Sequence, residues 1–432
     1  MTPLSEKIEN HTATVGVIGL GYVGIPLCTY ISQAGFTLYG FDHDQTRVDC
    51  LNAGLSPIAH IPSQSIQDIC HNGFQATTQF DAISHCDIIL ICVPTPLNKR
   101  REPDLSYVNQ TMANIAPFLR KHQVISLEST TWPGTTEEIL KPQLEQQGFD
   151  IGVDFHLVYS PEREDPGNEK FLTHTIPKII GGSSDECRAI GCSFYNKFID
   201  KIVPVSSTQA AEMVKLLENI HRSVNIGLAN EMKQIAHALD LDIFEIIKAA
   251  ATKPFGFTAF YPGPGVGGHC IPIDPFYLSW KAKEFGLDTQ FISLAGEINA
   301  AMPHYVVEQL IKALNEQQKT LNGANILVLG IAYKKNVDDV RESPSVFIME
   351  ILRKWGAQIS YSDPHVPNFP NMREHCFNLN SVELTPQTIA TFDAVLLLTD
   401  HDVFDYDLIE ANACLLLDTR GKFSQNMTII QA

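Results

Sequence analysis

One of the ten cysteines stands in a setting suited to chemistry. Cys270 lies in the run YPGPGVGGHCIPIDP, residues 261–275, a loop by composition, where glycines free the backbone and prolines then stiffen it. A thiol presented there is a candidate nucleophile. For a cysteine taken alone, a buried structural thiol is the plainer reading. His269 is adjacent in sequence, and neighbouring side chains usually point apart, so no Cys–His pair is read. The remaining cysteines are scattered without a C-x-x-C pair, which argues against zinc or any other metal and fits the reduced thiols of a cytoplasmic protein.

A second pattern concerns phosphate. Gly19-x-Gly21-x-x-Gly24 follows an apolar strand pattern at 14–18 and opens a helix pattern that runs to about residue 34. In that context Gly19 permits the turn, Gly21 lets the backbone approach a pyrophosphate, and Gly24 lets helix and strand pack closely. Asp42 lies eighteen residues past Gly24, at the end of a second strand pattern. A carboxylate there accepts from ribose hydroxyls and repels a 2′-phosphate, so NAD is expected over NADP. Strand, helix and acid together outweigh the alternative of an ordinary glycine turn. Lys215 and Asn219 stand four apart on one helix face, where a solvated surface and a cleft wall are equally open readings. The polar stretches at 130–135, 160–165 and 334–343 follow strand patterns, at the sheet edge where open α/β folds carry ligands.

These residues need a scaffold. Alternating strands and helices continue through 87–93, 123–126 and 156–159, as in a doubly wound sheet buried on both faces. From 209 to 239 apolar residues recur at helical spacing, broken only by Gly227; thirty residues of helix span about 45 Å. A short helix follows at 243–251. The strand–helix pattern restarts at 326–329 and continues through 345–354, 357–361, 394–398 and 415–417, a weak echo of the first region without its full glycine fingerprint. The expected fold is α/β, two Rossmann-like doubly wound domains joined by a long central helix. The boundaries are 1–205, 206–315 carrying the cysteine loop, and 316–432. The formal net charge of -18 argues against nucleic acid and anionic membrane surfaces. No apolar run reaches membrane-spanning length, and residues 1–12 lack the apolar core of a signal peptide.

Seven motifs occur in order along the chain: GLGYVG at 19–24, VPTP at 93–96, TTWPGT at 130–135, SPERE at 160–164, EMVKLLEN at 212–219, GGHCIPIDP at 267–275 and GIAYKKNVDDVRESPS at 330–345. In this the chain resembles the UDP-glucose/GDP-mannose dehydrogenase family, over nearly its whole length from residue 15 to 420. The resemblance implies an NAD-dependent oxidation of a nucleotide-linked hexose at C6, by two hydride losses, to a uronic acid. Cys270 matches the family's catalytic thiol, Lys215 and Asn219 the groups that hold the oxyanion, Asp274 with Thr131 and a water the proton handling, and Glu162 the acid of thioester hydrolysis. Gly19, Gly21, Tyr22, Val23, Gly24, Asp42, Arg47, Thr95, Thr131 and Arg341 match cofactor positions. Tyr261, Gly267, Lys334 and Arg420, with Glu162, Lys215 and Asn219, match positions that hold the sugar nucleotide.

Residues 163–167 depart from the family's UDP-glucose branch, which carries an apolar segment and a second acid there, so no role passes to Asp165. SPEREDPGN and the run KPFGFTAFYPGPGVGGHCIPIDPFYLSW are similar to bacterial UDP-N-acetylglucosamine 6-dehydrogenases, which implies that substrate and a place in surface polysaccharide synthesis, O-antigen or capsule. UDP-glucose, UDP-N-acetylgalactosamine and UDP-N-acetylmannosamine are the alternatives. The resemblance also implies a homodimer through the central helix and a cytoplasmic enzyme. Two competing readings are a one-hydride β-hydroxyacid dehydrogenase, which needs no thiol, and an NAD-binding sensor that has kept only the fold.

Overall fold

The computed structural model describes residues 3–58, 61–98, 102–163, 173–268, 271–372, 375–424 and 428–432. It divides into two compact units, 1–218 with 276–287 and 219–275 with 288–432. The first is built on eight strands: β1 (Thr14–Ile18), β2 (Thr37–Phe41), β3 (Gln75–Thr77), β4 (Ile88–Ile91), β5 (Val124–Leu127), β6 (His156–Tyr159), β7 (Lys178–Gly182) and β8 (Ile202–Pro204). They lie in the order β3-β2-β1-β4-β5-β6-β7-β8. All neighbours are parallel except β6 and β7. β4 and β5 are buried at every residue, which is why they read as unbroken apolar runs. The order reverses between β1 and β4, the crevice where such sheets take ligands.

The strand expected at 87–93 is shorter, and Asp87 is not part of it. That buried acid pairs with Lys7 at 2.8 Å and Arg120 at 2.7 Å, and these contacts hold its carboxyl below the usual range against the opposing effect of burial. A polar side chain satisfied this way ends an apolar strand without an unpaired charge.

The second unit carries β9 (Asn325–Leu329), β10 (Gln358–Ser362), β11 (Ala394–Leu397), β12 (Leu416–Asp418) and β13 (Ile429–Gln431), all parallel in the order β10-β9-β11-β12-β13. Two helices dominate the middle of the chain: the central helix Thr208–Ala238, close to the expected 209–239, and the 27-residue helix Gln290–Glu316. Gly227 lets them pack closely: a Cβ there would lie 3.2 Å from Ala295. The central helix leaves Leu228, Met232 and Ile235 exposed, as is Leu239 just past its end. No helix among the described residues is long and apolar enough to cross a membrane.

Candidate active site

In the first unit the glycine turn has the geometry a dinucleotide needs. Gly19 takes φ +93°, and a Cβ on it would lie 2.7 Å from the Cys92 carbonyl oxygen at the end of β4. A side chain at Gly24, the first residue of the helix Gly24–Gln33, would collide with the Gly19 carbonyl. Gly21 has only Arg47 near its missing Cβ, at 3.9 Å, so the turn's outer face is open to a ligand. Asp42 is buried beside it. One carboxylate oxygen accepts the Leu20 N–H at 2.9 Å, the other accepts the Asp44 N–H at 3.0 Å, and Arg47 approaches at 3.4 Å. A positive φ, an open backbone face, a helix N-terminus and an acid with acceptor capacity to spare fit a bound NAD. Tyr22 and Val23 lie in the same turn and pack against the core of this unit.

Thr95 and Thr131 stand on the loops after β4 and β5. The Thr95 hydroxyl donates to the Thr130 carbonyl at 2.7 Å, and the Tyr277 hydroxyl donates to the Thr95 carbonyl. Trp280 lies 4.9 Å from Trp132, so residues 276–287 brace both loops. The Thr131 hydroxyl is buried without a hydrogen-bond partner among the described residues, as expected of a group reserved for a ligand. The next turn is tied down by Glu212, at the start of the central helix. Its carboxylate accepts from Gly134 N–H at 2.6 Å, Thr136 N–H at 2.9 Å and the Thr136 hydroxyl at 2.7 Å. Burial pushes that carboxyl up to about 7 despite these donors. Glu212 was not singled out as a functional residue from sequence; the signal was a carboxylate opening the EMVKLLEN motif beside buried Ala211.

Glu162 follows β6. It accepts the Arg163 N–H at 2.6 Å, while the Arg163 guanidinium binds Glu218 at 2.5 Å and the Pro177 carbonyl. Beneath it lies a fully buried pair that sequence reading also missed, Lys178 on β7 bound to Glu128 at 2.7 Å, with the Tyr195 hydroxyl on the same carboxylate. Burial works against the Lys178 charge, but the carboxylates of Glu128 and Glu162 outweigh it and hold the lysine protonated. Lys178 also donates to the Pro161 carbonyl at 3.4 Å, which ties the Glu162 loop to β7. Glu164 and Asp165 lie outside the described residues. Lys215 is buried on the central helix, not spread on a solvated face.

In the second unit Asn219 and Asp274, 55 residues apart in sequence, meet: the Asn219 amide donates to the Asp274 carboxylate at 2.5 Å, and both are buried. Cys270 and His269 lie outside the described residues, but the loop around them is anchored. Gly263 N–H donates to Asn230 at 3.0 Å, Asn230 donates to Asn299 at 2.9 Å, and Arg420 packs so that a Cβ on Gly263 would lie 2.8 Å from its guanidinium. The Arg420 Nε–H is fixed on the Leu398 carbonyl at 2.7 Å. A Cβ on Gly267 would lie 2.7 Å from the Glu342 carbonyl oxygen, and Gly268 donates its N–H to the Arg341 carbonyl at 3.2 Å. Gly267 is thus brought against the 333–344 segment, which carries Lys334 and Arg341; Arg341 forms a two-bond pair with Asp339 at 2.9 and 2.6 Å. Tyr261 is exposed.

Two nucleotide-type folds, one with an open dinucleotide turn and one facing a glycine-rich loop, define a dehydrogenase architecture. The chain belongs to the UDP-glucose/GDP-mannose dehydrogenase family: residues 13–199 match its NAD-binding domain, 209–301 its central domain and 327–425 its UDP-binding domain. It is an NAD-dependent oxidoreductase of nucleotide sugars. It is 34% identical to the UDP-N-acetyl-D-glucosamine 6-dehydrogenase of Pseudomonas aeruginosa, over 90% of this chain and 91% of that one. It is 32% identical to an NDP-N-acetyl-D-galactosaminuronic acid dehydrogenase of Ralstonia solanacearum, over 98% and 99%. The solved UDP-D-ManNAc dehydrogenase of Pyrococcus horikoshii superposes with a TM-score of 0.86 at 31% identity, covering 96% of each chain.

Proposed function

We propose that the protein oxidises the C6 hydroxymethyl group of a UDP-N-acetylhexosamine, UDP-N-acetylglucosamine first among them, to the uronic acid through the thiol of Cys270. The observation that carries this reading is the clamping of Gly267 and Gly268, just ahead of the thiol, onto the segment that holds Lys334 and Arg341. The relatives support the N-acetylated class, since the names of all three carry an N-acetylated sugar. The sequence around Glu162 and before Cys270 favours the glucosamine branch.

NAD, when bound, would supply the hydride acceptor, and the 19–24 turn, Asp42, Arg47, Thr95 and Thr131 would hold it; Arg341 also matches a cofactor position. Each sugar gives up two hydrides and three protons and takes up one water. The first oxidation gives the C6 aldehyde. The Cys270 thiolate adds to that carbonyl, forming a C–S bond and an oxyanion stabilised by the Lys215 ammonium and the Asn219 amide. Asp274, already bonded to Asn219, exchanges the proton. Loss of the second hydride leaves a thioester; water, directed by Glu162, adds to it, the C–S bond breaks, and the carboxylate leaves with the thiol restored. Tyr261, Gly267, Lys334 and Arg420 hold the sugar nucleotide. The uronic acid is a precursor for surface polysaccharide synthesis, and the enzyme acts in the cytoplasm. The exposed apolar row Leu228, Met232, Ile235 and Leu239 supports a homodimer through the central helix.

NADH release across a panel of UDP- and GDP-sugars tests the substrate. A higher kcat/KM for UDP-N-acetylglucosamine than for UDP-glucose, UDP-N-acetylgalactosamine or UDP-N-acetylmannosamine is expected; a preference for UDP-glucose refutes the N-acetyl reading. Cys270→Ser tests the thiol: uronate formation should fall by orders of magnitude, with an aldehyde, its hydrate or a serine ester seen by mass spectrometry. Uronate at the parent rate would make Cys270 structural.

A further inference from the structure

The two sheets repeat one device. After β1, Gly19 donates its N–H to the Phe41 carbonyl at 2.8 Å, and Asp42 beyond β2 accepts the Leu20 N–H. After β9, Gly330, at φ +77°, donates to the Ser362 carbonyl at 2.9 Å, and Asp363 beyond β10 accepts the Ile331 N–H at 2.7 Å. Asp363 therefore occupies the place of the ribose-binding acid of a dinucleotide fold. It is not open as Asp42 is. Its carboxylate also accepts from Ala332 at 3.1 Å, His365 at 2.9 Å, Val366 at 3.2 Å and the His401 ring at 3.1 Å. Five donors exceed the roughly four lone-pair directions of a carboxylate, so no ligand hydroxyl finds an acceptor there.

The fifth donor has a second task. His401 is fully buried, and its Nδ1 accepts the Asn336 N–H at 3.0 Å. A ring that accepts at Nδ1 carries its hydrogen on Nε2, the atom facing Asp363. Asn336 sits at φ +62°, uncommon for a non-glycine residue, and its side chain exchanges hydrogen bonds with Asp402 at 2.6 and 3.0 Å. Thr399 fixes the start of the same loop by donating to the Ala332 carbonyl at 2.6 Å. The loop so held carries Lys334 and Arg341 and, through the carbonyls of Arg341 and Glu342, meets Gly268 and Gly267.

We propose that His401 is a positioning residue: the Asp363–His401–Asn336 bracket turns the spent ribose acid of the second fold into the support of the 333–343 loop, setting it to receive the nucleotide end of the sugar nucleotide. This rests on the reading of Lys334 as a ligand of that nucleotide. Two substitutions separate the bonds of His401. In His401→Asn the side-chain oxygen takes the place of Nδ1 and keeps the Asn336 bond. In His401→Gln the amide reaches the place of Nε2 and keeps the Asp363 bond, leaving the Asn336 N–H unpaired. UDP alone is titrated calorimetrically into the full-length parent and both variants, and amide exchange is followed over 333–343. His401→Gln should weaken UDP about fivefold, the worth of one net hydrogen bond, and speed exchange over the loop. His401→Asn, which gives up the Asp363 anchor but keeps the Asn336 N–H paired, should be impaired less than His401→Gln in both measurements. A histidine that served only packing would leave the two variants equally impaired, which overturns the proposal, as does unchanged exchange in His401→Gln. Faster exchange with unchanged UDP affinity would keep the bracket and overturn Lys334 as a nucleotide ligand.

Discussion

Asp42 is expected to set the preference for NAD over NADP, and the geometry around its carboxylate gives the size of the effect. Of its acceptor sites, two are filled by the Leu20 and Asp44 N–H groups and Arg47 stands at 3.4 Å, which leaves room for ribose hydroxyls. A hydrogen bond to a charged acceptor contributes about 1.5–3 kcal/mol, so losing one costs about tenfold or more in NAD binding. A 2′-phosphate about 4 Å from the carboxylate meets a repulsion of about 4 kcal/mol per unit charge at an effective dielectric near 20, or roughly a thousandfold against NADP. Asp42→Asn removes the charge and keeps one oxygen for Leu20, so the fold should stand. Arg47, released from its neighbour, becomes a partner for the phosphate. The expected result is a KM for NAD raised at least about tenfold and an NAD-over-NADP preference reduced by about two to three orders of magnitude, read from initial NADH and NADPH rates. A variant with the parent's KM for NAD and the parent's preference would show that Asp42 serves only the Leu20 turn.

Three further outcomes are expected. The Glu212 carboxyl is raised to about 7 in the folded protein, so the native state keeps a proton that the unfolded chain has released. Its contribution is complete below the ordinary carboxylate range and is lost as pH rises toward 7, about 3 kcal/mol in all, and Glu212→Gln should flatten that part of the stability–pH curve in urea melts at pH 5 and 7.5; identical slopes for parent and variant would refute it. Gly267→Ala forces a Cβ to within 2.8 Å of Tyr333 and Pro344 and must shift the cysteine loop, so turnover should fall by about a hundredfold while NAD still binds; parent-like turnover would count against the clamp. Ile235→Glu places a charge in the exposed apolar row of the central helix and should convert a homodimer to monomer by light scattering, whereas a parent that is already monomeric removes that assembly.

Much of the scaffold is written in local pattern. β1 and β2 fall where a five-residue apolar run meets turn chemistry, and the central helix follows 3.6-residue periodicity over its whole length. The helix Gln290–Glu316 is harder to read because Pro303 stands inside it. A proline interrupts the local signal, and burial of Met302, Pro303 and Val306 in the folded chain carries the helix through. β7 gave no sign that it would run against β6, because strand direction depends on connections and sheet edges that no single strand encodes.

The candidate site divides along the same line. Residue type and spacing were enough to single out the glycine turn, Asp42 and the cysteine loop, because those functions depend on backbone freedom and on a side chain at the end of its own strand. Glu212 under the 134–136 turn, Lys178 with Glu128 beneath Glu162, and His401 between Asp363 and Asn336 were settled by tertiary structure alone. Each joins residues about 40 to 80 positions apart or places a charge where only complete burial makes its partner indispensable. A lysine or histidine in a sequence carries no record of whether water or a carboxylate will face it, and that choice is made when the sheets close over them.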